Sequence, residues 1–277
     1  MDDLEIGASR IGGIPDMPVG LDWPKWEQTP LSFIAQIRLS DLSRTQEAEI
    51  FPPQNASAQP LLFEFEPQPV VPKAVDPAAY RNLPQTGILY FFCLGNTLNG
   101  RKDWVANRDA WRVIYRPDEE ATNLFRISSP PGLEDQKAYC VSFWDETTLP
   151  AADSYDIRQL RLTTEQQEQY RELLYDLREA HRFPGYGTHR LLGYPRQIQN
   201  DMQEECWALS EGHYYIGRTG DVNIVSVLPA GDEVLQQQWR LLVQIRNDWG
   251  GILYYWIPEE ALAQQDFSKA WVVLQYD

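Results

Sequence analysis

Four short blocks occur twice in this chain in the same order, and no other feature limits its fold as much. Arg10-Ile-Gly-Gly13-Ile-Pro15 returns as Arg190-Leu-Leu-Gly193-Tyr-Pro195, and Phe33-Ile-Ala-Gln36-Ile-Arg38 as Leu241-Leu-Val-Gln244-Ile-Arg246. Gly87-Ile-Leu-Tyr90-Phe-Phe92 returns as Gly251-Ile-Leu-Tyr254-Tyr-Trp256, and Ala110-Trp111 returns as Ala270-Trp271 ahead of an apolar run. Ordered self-similarity of this kind predicts a tandem duplication of β-rich repeats packed face to face as one pseudo-symmetric body. The length of 277 residues agrees with two such units.

Local patterning gives these repeats a strand character. Leu31, Phe33, Ala35, Ile37 and Leu39 alternate with Ser32, Ile34, Gln36, Arg38 and Ser40, a period of two, and Ser40-Asp-Leu-Ser suggests a short turn after them. Ile88 to Leu94 is a continuous apolar run between Gly87 and Gly95, the pattern of a strand buried on both faces. Further strands are expected at Trp111–Tyr115, Leu124–Ile127, Ala138–Trp144, Asn223–Leu228, Trp239–Asn247, Ile252–Ile257 and Trp271–Tyr276. The stretch Pro52 to Pro84 holds eight prolines, which argue against a long helix or a central strand, so only an edge strand at Leu61–Phe65 is expected there.

Helical signals cluster between and inside the repeats. Thr163 and Thr164 precede Gln166 and Gln167 in a capping-box pattern, and Tyr170, Leu173, Leu174, Leu177 and Ala180 follow on one face. Ile198, Met202, Cys206 and Leu209 predict a second helix, and 259–264 a short third one. The fold class is therefore α+β with a few segregated helices. Its expected divisions are 1–150 (first repeat with the Pro-rich insertion), 151–188 (connecting helical segment) and 189–277 (second repeat).

Composition narrows the partners. A net charge of −16 repels phosphate backbones, so nucleic acid is excluded as the expected partner, while a basic protein would be steered toward the surface. Cys93, Cys140 and Cys206 are odd in number and widely spaced, which fits neither a disulfide framework nor a zinc pattern and points to a reducing compartment. The first twenty residues lack the apolar run of a signal peptide, and the Ile88–Leu94 run is far shorter than the roughly 20 residues that span a bilayer. The expected location is cytoplasmic, away from membranes.

Chemistry-bearing motifs are sparse. His181, His189 and His213 do not share a helix face at metal-ligand spacing, so no metal and no cofactor is expected. No Gly-x-Ser-x-Gly elbow occurs, and neither Gly12-Gly13 nor Gly250-Gly251 continues into a phosphate loop or a dinucleotide fingerprint. What remains are the duplicated polar residues. Arg10, Gln36, Arg190 and Gln244 are candidates either for tying irregular loops to the sheets or for holding a ligand where the repeats meet. Trp23 and Trp26, in a Pro-rich loop, are the candidate partner-binding aromatics.

Together these blocks resemble the YwqG-like family, a bacterial domain family of unknown function. The similarity is carried by Ser9-Arg-Ile-Gly-Gly-Ile-Pro-Asp16, Pro30-Leu-Ser-Phe-Ile-Ala-Gln-Ile37, the segment 83–92, Leu192-Gly-Tyr-Pro195 with Ile198-Gln-Asn-Asp-Met202 read as Ile198-Gln199-Asn200-Asp201-Met202, and the segments 241–245, 250–257 and 266–268. The turn Asp248-Trp-Gly-Gly251 lacks an acidic residue that similar proteins carry there. The resemblance implies a duplicated fold and no catalytic residue. Three functional readings stand open. The leading one is a non-catalytic binding protein for a partner protein or a small polar ligand. The others are a hydrolase on a polar or sugar-like substrate with its site between the repeats, and an acidic immunity-type protein that neutralises a basic toxin. Nothing in the residues sets an oligomeric state.

Overall fold

The computed structural model describes residues 4–43, 70–74, 80, 82–94, 103–117, 120–180, 189–199, 201–217, 222–224, 239–246 and 251–276. The first stretch holds β1 (Arg10–Ile11), β2 (Asp16–Pro18), β3 (Lys25–Trp26), β4 (Thr29–Pro30) and β5 (Ser32–Arg38). Next come β6 (Val70–Ala74), β7 (Ile88–Cys93), β8 (Trp111–Arg116), β9 (Leu124–Arg126), β10 (Tyr139–Cys140) and β11 (Ser142–Glu146). Helices α1 (Tyr155–Gln159) and α2 (Thr164–Ala180) lead to β12 (His189–Leu191), α3 (Met202–Ser210), β13 (Tyr214–Ile216) and β14 (Val222–Ile224). The chain finishes with β15 (Trp239–Arg246), β16 (Gly251–Pro258), α4 (Glu259–Ala263) and β17 (Trp271–Tyr276). This is an α+β fold.

Two sheets carry the body. One has the order β10-β1-β5-β7-β8 and the other β11-β6-β12-β15-β16-β17. Within them, β1-β5-β7-β8 and β12-β15-β16-β17 are the same antiparallel arrangement in the same register. Arg10 lies opposite Gln36 and Gln36 opposite Tyr90, as Arg190 lies opposite Gln244 and Gln244 opposite Tyr254. Even the irregularity recurs, between Phe33 and Ala35 in one sheet and between Leu241 and Val243 in the other. Each such bulge bends its strand and raises the local twist, so both sheets curve at the same place.

The sheets meet through equivalent residues. Phe91 and Tyr255 hold matching positions in the third repeated block, and their rings sit edge-on with centroids 5.0 Å apart. Trp111 and Trp271, matched in the fourth block, also stand 5.0 Å apart, at 66°. A surface patch that contacts its own counterpart is the mark of a two-fold arrangement. The aromatic pairs thus define a pseudo-two-fold axis through the core. Bonds across it lock the register of the sheets: the Trp111 indole donates to Ala270 O at 3.0 Å and the Tyr255 hydroxyl to Phe92 O at 3.3 Å.

Several local expectations are met, and two are corrected. Strand β7 is buried along its whole length. At the start of α2 the capping box forms, with Thr163 N–H on Gln166 Oε1 at 2.9 Å and Gln166 N–H on Thr163 Oγ1 at 3.3 Å. The single strand expected at Ala138–Trp144 is instead two. The chain leaves the first sheet after β10, turns at buried Val141, and enters the second sheet as β11, the corner-turning by which one chain segment serves two sheets. The second correction is β6, which carries Pro72 yet lies between β11 and β12. It pairs with β11 over five residues but with β12 only at Lys73, so that side of β6 is largely an edge, where proline is tolerated. The strand expected at Leu61–Phe65 lies outside the described residues, as do His181 and the Asp248–Gly250 part of the turn before β16.

The aromatic contact on the axis is therefore expected to be a main source of cohesion between the sheets. Trp111→Ala should cost about 3–5 kcal/mol through the cavity it leaves, read by urea denaturation, and a cost below 1 kcal/mol would show that the sheets do not depend on it.

Candidate functional site

The polar residues at matching positions of the two sheets converge on the loops that follow β1 and β12. These loops cannot join a regular ladder. Gly12 and Gly13 have φ of 67° and 70°, and their counterparts Leu192 and Gly193 have 60° and 68°. Two successive left-handed residues turn the chain sharply after the first strand, which favours glycine. A Cβ on Gly12 would lie 2.3 Å from Lys137 O, so glycine is required there. Leucine at 192 bears the backbone cost and contributes a buried side chain in return.

Beyond each turn the main chain needs partners, and the sheet side chains supply them in parallel ways. Gln36 Oε1 accepts Asp16 N–H at 2.8 Å, and Gln244 Oε1 accepts Arg196 N–H at 2.8 Å. The Tyr90 hydroxyl donates to Asp16 O at 2.7 Å, and the Tyr254 hydroxyl to Arg196 O at 2.7 Å. Arg10 Nη1 reaches Ile14 O at 3.2 Å, and Arg190 Nη1 reaches Tyr194 O at 2.7 Å. Asp16 and Arg196 are the residues just after Pro15 and Pro195. Each loop is thus pinned by an Arg, a Gln and a Tyr at matched positions.

Charge is balanced differently in the two halves. In the first, Asp16 is a fully buried carboxylate that accepts Arg10 Nη2 at 2.5 Å, Arg126 Nε at 2.9 Å and Gly7 N–H at 2.8 Å. In the second, that loop position is Arg196, and the acid comes from a different strand. Glu146 on β11 grips Arg190 through two parallel bonds, Nε to Oε2 at 2.9 Å and Nη2 to Oε1 at 2.7 Å. Bidentate pairing of this kind fixes both partners in one geometry.

Arg10, Gln36 and Gln244 have no exposed surface and Arg190 is 8% exposed. Gln36 and Gln244 accept loop amides, and Arg10 and Arg190 donate to loop carbonyls and to buried carboxylates. The two candidate partner-binding tryptophans pack against the fold. Trp26 is buried, and the half-buried Trp23 donates to Leu31 O at 2.8 Å and stands edge-on to Phe92. Spacing alone could not reveal Glu146 or Arg126 as partners, because they come from distant segments of the chain. Tyr90 and Tyr254 were visible in the repeated blocks, but their hydroxyl targets were not.

A cavity of about 490 Å³ opens elsewhere, along β8 and facing residues 265–270. All six residues of β8 line it, so it runs along the strand's outer edge. Three arginines, Arg108, Arg112 and Arg116, stand against two aspartates, Asp109 and Asp266, on its walls. Arg108 lies 5.5 Å over the Trp271 ring and donates to Ser268 O; burial lowers its pKa. Arg112 holds exposed Asp109 at 2.8 Å, and Tyr115 packs against Phe267. Asp266 is tied up as the cap of the 267–269 turn, accepting Ser268 N–H at 3.2 Å.

The remaining perturbed groups lie apart from this cavity. Burial drives His189 down to about 4, so it is neutral at pH 7. Burial also raises the Cys206 thiol well above its ordinary value, which makes it inert. Cys93, Cys140 and Cys206 are thiols in the structure. Among the described residues no three His, Cys, Asp or Glu side chains converge as a metal site, and no helix is long and apolar enough to cross a membrane.

The chain belongs to a family described as a domain of unknown function, DUF1963, whose family model matches residues 9–59 and 73–275. No curated protein matches the chain in sequence.

Two expected outcomes follow from the buried polar groups. Gln36→Leu and Gln244→Leu each leave loop main chain unpaired and should lower stability by about 1–3 kcal/mol. Glu146→Ala strands the Arg190 charge and should cost more, about 3–5 kcal/mol. Thermal and urea melts give the order, and unchanged stability in both glutamine variants would remove the loop-pinning account. The second outcome concerns Glu205, whose carboxyl burial pushes up from 4.5 to about 7. Its folded pKa lies above the unfolded one, so its contribution is fully present below pH 4.5 and is lost as pH rises through 7. Glu205→Gln should then match the wild type at about pH 5 and exceed it in stability at about pH 8; equal stability at both values would contradict this.

Proposed function

We propose that this DUF1963 protein is a cytoplasmic, non-catalytic binding protein that recognises a partner protein or a small polar ligand in the groove along β8. The observation that carries the reading is the division of polar groups. The Arg, Gln and Tyr residues shared by the repeats are consumed inside the fold, whereas the groove presents guanidinium groups at the surface of a chain whose net charge is −16. Its volume falls within the roughly 300–1,000 Å³ range of ligand sites. Its acids are already engaged, Asp109 by Arg112 and Asp266 by Ser268, and no Cys or His lines it. The Ser268 hydroxyl donates to Asp266, the same carboxylate that caps the 267–269 turn, so that acid is held by the turn's own groups. The finer assignment to the YwqG-like group, and an origin of the two halves by tandem duplication, belong to the same reading and are supported by the repeated blocks.

The test compares wild-type protein with Arg112→Glu/Arg116→Glu in a native lysate, with mass spectrometry of bound proteins and metabolites. The expected result is a species retained by the wild type and lost from the equally stable variant. Retention by both would move the site away from the groove. Turnover of ester, amide or glycoside substrates that depends on groove residues would replace binding with the hydrolase reading.

A further inference from the structure

Arg108 is the cation of the groove whose charge the fold compensates least. Its side chain is half-buried, lies over the Trp271 ring 5.5 Å from the centroid, and donates to Ser268 O. Among the described residues no carboxylate stands at ion-pair distance from it. Burial lowers its pKa and outweighs Asp266 and Asp109, which favour the charged form from farther off. Arginine stays charged even so, and a positive charge in partial burial is stabilised by a counter-charge beside it. A guanidinium offers five N–H donors in a planar fork. One carbonyl and a ring face leave most of that fork to solvent or to a ligand.

The groups around Arg108 are held by the fold. Arg112 Nη2 grips Asp109 at 2.8 Å, while its Nη1 reaches Trp111 O at 2.8 Å and Arg108 O at 3.3 Å. It thereby neutralises Asp109 and braces the main chain that carries Arg108. One oxygen of Asp266 accepts both the N–H and the hydroxyl of Ser268. Beyond Arg108 the wall turns apolar, with the Tyr115 and Phe267 rings 5.5 Å apart and Val113, Ile114 and Ala270 beside them. We propose that the groove takes a small organic anion, its carboxylate or phosphate group on the Arg108 fork and its apolar body along Tyr115 and Phe267. Guanidinium geometry matches either oxyanion. The net charge of −16 repels a polyanion, and about 490 Å³ suits a single small molecule. This proposal rests on the groove being the binding site.

The probes are benzoate and phenyl phosphate, titrated separately into the full chain by calorimetry at low ionic strength. Saturable binding of at least one is expected, and the tighter of the two identifies the oxyanion. Benzyl alcohol keeps the ring without the charge, and acetate and inorganic phosphate keep the charge without the ring; each should bind about tenfold or more weakly than its aromatic anion. Arg108→Gln should weaken the anion by a similar factor, whereas Arg171→Gln, on the exposed surface of α2, should leave it unchanged. The probe comparisons use the wild-type chain and decide the matter even if Arg108→Gln does not fold. No saturable binding, equal binding of benzyl alcohol, or unchanged affinity in folded Arg108→Gln would overturn the proposal. Equal binding of acetate and inorganic phosphate would overturn it too, since the apolar wall would then add nothing. Failure of every anion alongside groove-dependent capture of a species from lysate removes the anion and leaves the binding reading intact.

Discussion

A main-chain amide that is buried without a partner costs about as much as a lost hydrogen bond, and this constraint organises the molecule. Each repeat begins with a strand that ends in two left-handed residues and then runs irregularly over the face of its own sheet. The Asp16 and Arg196 amides and carbonyls sit there over the sheet faces, Asp16 at the start of the short β2–β9 pair. Gln36 and Tyr90, or Gln244 and Tyr254, take up both groups of each residue from adjacent strands. Because these side chains need a defined strand order and register to converge, the polar network fixes the apolar sheet as firmly as the sheet positions the network.

The pseudo-symmetry is close where packing demands it and relaxed where charge allows alternatives. Phe91 on Tyr255 and Trp111 on Trp271 keep large rings on the axis, since each ring fills space that only its counterpart can match. Electroneutrality is a weaker demand. A buried guanidinium needs a carboxylate, but the carboxylate can come from any direction. Asp16 answers Arg10 from within the loop, while Glu146 answers Arg190 from β11. The crossing of the chain from β10 to β11 makes the second solution possible, because it delivers the segment that follows the first sheet to the second sheet.

The two sheets differ at their edges. The edge strand β17 is contacted by α3, whereas β8 meets the 267–269 turn and leaves space beside it.

The long strands, the α2 capping box and the matching blocks were legible in the sequence, because each depends on neighbours within a few residues or on comparison of one segment with another. The significance of Gln36 and Gln244 was legible too, as residues retained in both halves, but the same retention suited a ligand or a loop. Their burial settles where the amides lie, and that depends on which strand lies beside which. The sequence by itself determined the long strands β5, β7, β8, β15, β16 and β17, the helix α2, the repeated sequence blocks and the charge. Only the tertiary structure decided the split of Ala138–Trp144 between two sheets, the pairing of Arg190 with Glu146, and the groove between β8 and the 267–269 turn. Each of these is set by residues far apart in the chain, and no local periodicity or spacing encodes which distant segment supplies the missing partner.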